Sequence, residues 1–169
     1  YEILTCDWSS DVCSSDLSLS TDLGVVHLSD RFMDTDIPTT HDIKHLSDHV
    51  ESAIKSELQN RKMVSTDSLS LIATAGTPTT LAAIEIGMDE YDAELVNGFV
   101  LSMEMILKIF NKLRGMPSVE RLKVKGLEKG REDVIIPGII ILLKFMERFS
   151  QNRVTVSEGG LLEGVAISM

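Results

Sequence analysis

The run Thr74-Ala75-Gly76-Thr77-Pro78-Thr79-Thr80 places a glycine among threonine hydroxyls where an apolar stretch gives way to a helical pattern. At such a junction the first helical amides have no acceptor within the helix, and a glycine lets a ligand approach the backbone closely. Thr74, Gly76 and Thr77 are therefore candidates for holding a phosphate. The same residues would also serve as an ordinary capped turn. A second signal lies downstream. Lys108, Lys112, Arg114, Arg121, Lys123, Lys125, Lys129 and Arg131 face only Glu120 and Glu128 over that stretch. Local positive charge on an acidic chain is what a polyanionic small ligand requires, although solvated helix faces have the same composition. Arg131 is the candidate gripping residue, because a guanidinium can hold two phosphate oxygens at once. Lys123 and Lys125 would add diffuse attraction.

Other groupings carry less. His41, His45 and His49 recur every four residues and, with Asp42 or Asp48, could ligate zinc. They lie opposite the apolar stripe of Ile43, Leu46, Val50 and Ile54, which turns them toward solvent. Asp34 and Asp36 precede Pro38 and read as turn chemistry. No P-loop, serine elbow or cysteine nucleophile is present, and no metal site is identified.

The elements that must position these residues follow from patterning. The chain has 169 residues, 43% of them apolar, enough for one domain with a single core. Its net charge of −10 argues against a general duplex-DNA binder. No apolar run approaches the roughly 20 residues of a membrane helix. Neither nucleic acid nor a membrane is an expected partner. Residues 23–28 (LGVVHL) read as a strand, and an amphipathic helix follows Thr39 and Thr40. Residues 69–74 read as a buried strand, with Thr77 as N-cap and Pro78 as the first residue of the next helix. Residues 101–149 are mostly helical, broken at Gly115-Met116-Pro117 and around 126–130, and residues 134–149 are apolar enough for the interior. A strand at 153–156 and a short helix after Gly159-Gly160 complete an α/β order with parallel crossovers.

Residues 1–17 differ from the rest. They contain both cysteines, the only tryptophan and no lysine or arginine. The run from Cys6 to Leu17 resembles an in-frame translation of a common sequencing adapter, so residues 1–17 are read as non-native and excluded from the fold. The remaining domain, 18–169, has no cysteine and no targeting signal, which fits the cytoplasm.

Five segments of that domain resemble the exopolyphosphatase/guanosine pentaphosphate phosphohydrolase (Ppx/GppA) family. They are Leu23-Gly24-Val25-Val26-His27-Leu28-Ser29-Asp30-Arg31-Phe32; the turn from Ile72 to Ala83; Tyr91-Asp92 with Val96-Asn97-Gly98; Glu120-Arg121, Gly126-Leu127 and Arg131 through Ile135; and Val156-Ser157 with Gly160-Leu161 and Glu163-Gly164. The resemblance implies an α/β fold, a truncated second lobe of an actin-like (sugar-kinase/chaperone, ribonuclease H-like) ATPase fold with a helical insertion. It implies hydrolysis of terminal phosphoanhydride bonds of polyphosphate or guanosine pentaphosphate, with magnesium for the intact enzyme and no ligand to it identifiable here. A homodimeric parent is left open. The family's Asp-x-Gly-Gly-Gly-Ser phosphate loop and catalytic Glu belong upstream of Ser18, so no catalytic residue is assigned to this chain, which is expected to be inactive alone. Leu162 stands where the family usually has Arg, and Ala73 where Gly is common. Two alternatives are an ATP-dependent kinase of the same superfold and a non-catalytic nucleotide-sensing module. Deleting residues 1–17 is expected to leave the melting temperature unchanged; a calorimetric loss above about 1 kcal/mol would make them part of the fold.

Overall fold

A computed structural model of the chain describes residues 3–6, 17–58 and 70–160. Strands β1 (Ile3–Cys6) and β2 (Leu17–Ser20) form an antiparallel hairpin with Ile3 opposite Ser20. The next segment corrects the sequence reading. Residues 23–28 are not a strand; the chain turns at Gly24 into helix α1 (Val25–Phe32). A short β-branched run has no period of its own, and here longer-range spacing decides. Val25, Leu28 and Phe32 fall on one helical face against the core, while Val26 points outward at 62% exposure.

Helix α2 (Thr40–Leu58) opens with a reciprocal cap. The Thr39 amide donates to Asp42 Oδ2 at 2.8 Å, and the Asp42 amide donates to Thr39 Oγ1 at 3.2 Å. Leu46, Val50, Ile54 and Leu58 then line its buried face, as the periodicity predicts. His41 and His45 face solvent, but His49 is half-buried, its ring 5.1 Å from that of Phe32. Burial holds its pKa below the usual histidine value.

The remaining elements build a three-stranded sheet with helices on one face. In chain order they are β3 (Ile72–Thr74), α3 (Gly76–Ile86), α4 (Ala93–Val96), β4 (Val100–Ser102), α5 (Met103–Leu113), α6 (Ser118–Arg121), α7 (Ile135–Arg148) and β5 (Arg153–Ser157). The sheet order is β3-β5-β4, with β3 parallel and β4 antiparallel to β5. Only one of the two pairings is thus the parallel kind the element order implies. Leu101, Val154 and Val156 are buried, whereas Ile72 (63% exposed) and Val100 (45%) flank Thr155 on the opposite face. Among the described strands β3 is therefore at the edge of the sheet, not buried within it. The helix expected after Gly159-Gly160 lies outside the described residues.

Helix α7 is the centre of the molecule and packs against α1, α2, α3 and α5. Ile135, Ile136, Ile139, Ile140, Ile141, Leu142, Leu143, Phe145 and Met146 are all buried, so the interior placement expected for this segment holds. Each such side chain contributes about 1.5–3 kcal/mol of burial. Pro137 is tolerated because it sits in the first turn, where no intrahelical acceptor is lost.

The loops around α7 are fixed by a buried arginine. Arg121 is 3% exposed, and its guanidinium makes three bonds to main-chain carbonyls. Nε donates to Leu113 O at 3.1 Å, one terminal nitrogen to Glu132 O at 2.8 Å and the other to Asp36 O at 2.8 Å. Burial pulls its pKa below the usual arginine value, opposed by the charges of Asp36 and Asp133. Gly126 makes the other tight join. It has φ +84°, and a Cβ there would overlap the backbone of Ala83 and Ile84 in α3. Arg121→Ala should cost about 3–5 kcal/mol in urea unfolding, because it leaves buried carbonyls without donors. Gly126→Ala should be comparably damaging, while Lys123→Ala should lie within about 0.5 kcal/mol of the parent.

Candidate functional site

Because β3 and β5 run parallel, their carboxyl ends emerge at the same edge of the sheet, with Thr74 beside Ser157. In open α/β sheets this edge is where ligands collect. One chain leaves it through Ala75 into α3, and the other through Glu158 and Gly159. The Thr74 hydroxyl ties the two exits together by donating to Gly159 O at 3.0 Å. Of the candidate residues, Thr74 thus serves the frame of the site.

The turn into α3 differs from the expected cap. The helix begins at Gly76, so Ala75 is the N-cap and Pro78 the third helical residue. Ala75 has φ 74° and ψ −174°, a conformation essentially restricted to glycine. Such strain persists only where the surroundings over-determine the backbone. Here Ala75 O accepts from the Thr79 hydroxyl at 3.1 Å, and Gly76 O from the same hydroxyl at 3.2 Å. The first-turn amides of Gly76 and Thr77 have no acceptor in the helix, and Pro78 has no amide at all. Two directed donors therefore stand at the positive end of the α3 dipole.

Arg131 lies against the first residue of this turn. Its guanidinium fills the space a Cβ on Gly76 would need, so only glycine admits it there. The backbone beneath is held because Arg131 O accepts from the amides of Val134 and Ile135 at 3.2 and 2.9 Å, at the entry to α7. Nε of Arg131 donates to Glu128 Oε2 at 2.8 Å. A guanidinium against a helix N-terminus brings like charges together, and a bound anion would relieve both. Gly76 and Arg131, paired in the sequence reading, are in contact.

The other candidates are placed differently. Thr77 turns its side chain against α7, where its hydroxyl and methyl fill the space in front of Gly138. It contributes its amide to the turn, and its side chain to helix packing. Lys125 reaches Asp89 at 2.8 Å in an exposed ion pair, and Lys123 is exposed. Tyr91 was visible in the sequence only as part of a longer resemblance. Its hydroxyl donates to Glu158, and burial, together with that bond, pushes the phenol up to about 12. The Glu158 amide in turn donates to Asn97 Oδ1 at 3.1 Å, bracing the rim. Glu128 was the missed partner; its spacing three residues before Arg131 was the available signal. A cavity of about 270 Å³ beside Arg121 is lined by Ser29, Asp30, Asp34, Asp36 and Asp133. Its acidic walls repel a polyanion, so its volume does not make it the phosphate site.

A sequence profile of the Ppx/GppA phosphatase family matches residues 11–169. The chain belongs to that family. The match begins at residue 11, within the segment the adapter resemblance set aside. Exopolyphosphatase 2 of Mycobacterium tuberculosis is 30% identical over 156 residues, covering 90% of this chain and 48% of that relative. The bifunctional 3-dehydroquinate synthase/phosphatase of Fusobacterium nucleatum is 35% identical over 126 residues, covering 70% of this chain and 18% of its own length. The chain thus spans about half the length of the mycobacterial relative, and less of the fusobacterial one. The Ppx/GppA phosphatase of Aquifex aeolicus superposes with a TM-score of 0.82 at 34% identity, over 92% of this chain and 50% of that one. An exopolyphosphatase of Cytophaga hutchinsonii, at 23% identity and a TM-score of 0.74, shares the fold over 92% of this chain and 50% of its own. The α/β architecture is that of the actin-like ATPase fold of these Ppx/GppA proteins. Ala75→Gly should raise stability by about 1 kcal/mol, read as a higher melting temperature, by releasing the strain at the N-cap.

Proposed function

We propose that this chain supplies the second, phosphate-gripping lobe of a cytoplasmic enzyme that hydrolyses terminal phosphoanhydride bonds of inorganic polyphosphate or guanosine pentaphosphate. The observation that carries the reading is the Arg131 guanidinium lying over Gly76 at the start of α3. Two amides and a forked cation converge at the sheet edge, a donor set suited to a terminal phosphate. They bind the charge already on phosphate and the charge that develops on it in the transition state. Membership of a phosphatase family favours hydrolysis over phosphoryl transfer to a second substrate. The general base is proposed to come from a first lobe, so this chain alone should release no phosphate.

We also propose that the whole enzyme uses magnesium. Among the described residues no group of three or more His, Cys, Asp or Glu side chains could hold a metal ion. The residues described here do not fit that ion, and no step is routed through it. Among the described residues no helix is long and apolar enough to cross a membrane.

In an enzyme carrying this lobe together with a first lobe, Arg131→Ala should weaken binding of polyphosphate or guanosine pentaphosphate by about 1.5–3 kcal/mol. Lys125→Ala should cost less, because its charge is already shared with Asp89 and is screened by salt. Titration calorimetry at two salt concentrations separates the two. Equal and negligible losses would reduce the basic stretch to a solvated face.

A further inference from the structure

The bond between Arg131 and Glu128 uses only one of the three guanidinium nitrogens. Glu128 Oε2 takes the Nε hydrogen at 2.8 Å, while both terminal nitrogens lie over Gly76. A long arginine side chain left to itself samples many rotamers, and fixing it carries an entropic cost. A carboxylate bonded at Nε narrows that freedom before any ligand arrives. It also leaves free the edge of the fork that can grip two oxygens of one phosphate. Glu128 is itself set by the local backbone, because the Arg131 amide donates to Glu128 O at 3.2 Å. The turn carrying both is anchored on one side by Gly126 against α3 and on the other by the entry into α7.

We propose that Glu128 is a positioning residue: it orients the Arg131 guanidinium so that its terminal nitrogens, with the Gly76 and Thr77 amides, form one phosphate cradle. The inference rests on the phosphate-binding reading above. It runs against simple electrostatics, which gives the test its sign. A carboxylate near a polyanion should weaken binding, so removing it should tighten the complex if charge were its only effect. A positioning role predicts the reverse for a truncation. It also predicts recovery when the acceptor oxygen is kept and only the charge is lost.

The test is titration calorimetry of tripolyphosphate into the 169-residue chain and its variants. Glu128→Ala should bind about threefold or more weakly, and Glu128→Gln should bind at least as tightly as the parent. On an Arg131→Ala background Glu128→Ala should add little, as expected for a residue that acts through the guanidinium. Glu128 is exposed, so melting temperatures should stay near the parent and the losses cannot be assigned to unfolding. Arg131→Ala binding as well as the parent would remove the phosphate-binding reading and this one with it. A loss in Arg131→Ala, with Glu128→Ala at parental or higher affinity, would overturn the positioning role alone.

Discussion

A single buried cation ties together three segments that are far apart in the sequence. The Arg121 guanidinium collects the carbonyl that ends α5, the carbonyl of Glu132 before α7, and that of Asp36 in the turn ahead of α2. Its direct hydrogen bonds all go to main-chain carbonyls, and the charges of Asp36 and Asp133 nearby favour its cationic form. That arrangement is tolerable because each of three nitrogens finds a carbonyl within hydrogen-bond reach, and intolerable if any of the three segments moves away. The positions of α7 and of the loop carrying Glu128 and Arg131 follow from that bond set.

Close approach at two glycines then converts this framework into a site. Gly126 brings the loop against the α3 backbone, and Gly138 lets α7 receive Thr77. Both contacts fix α3 against its neighbours, one near each end of the helix. The strained Ala75 backbone is held by the Thr79 hydroxyl, which bonds Ala75 O and Gly76 O. Packing and electrostatics therefore act on one small region, and the α3 turn is where they meet.

The sequence showed what depends on period and composition. The α2 stripe, the apolar run of α7 and the basic stretch around Arg131 were legible, and so was the pairing of Arg131 with the Gly76 turn. What it concealed depends on distance. Residues 23–28 have strand composition, yet Leu28 and Phe32 find their partners on α2 and α7 only as a helix. Residues 69–74 look buried because they are apolar, but whether a strand is central or at an edge is decided by its neighbours. Arg121 looked like one more member of a basic surface, and nothing local marks it as the one that is buried. The N-cap was misplaced by two residues because Thr-Pro is a strong local start signal, and tertiary contacts impose a conformation on Ala75 that its side chain disfavours.

The pairing of β3 with β5 also sets an order of events for the folding chain. The bond from Thr74 to Gly159 closes a loop of 85 residues, an entropic cost of about 4 kcal/mol that must be met by structure already formed between them. The helices α3, α5 and α7 can meet through nearer neighbours, but the central strand of the sheet is the last described element in the chain. During synthesis, β3 and β4 must wait with unpaired edges until β5 leaves the ribosome. The turn at the end of β3 therefore acquires its frame only once β5 has been made.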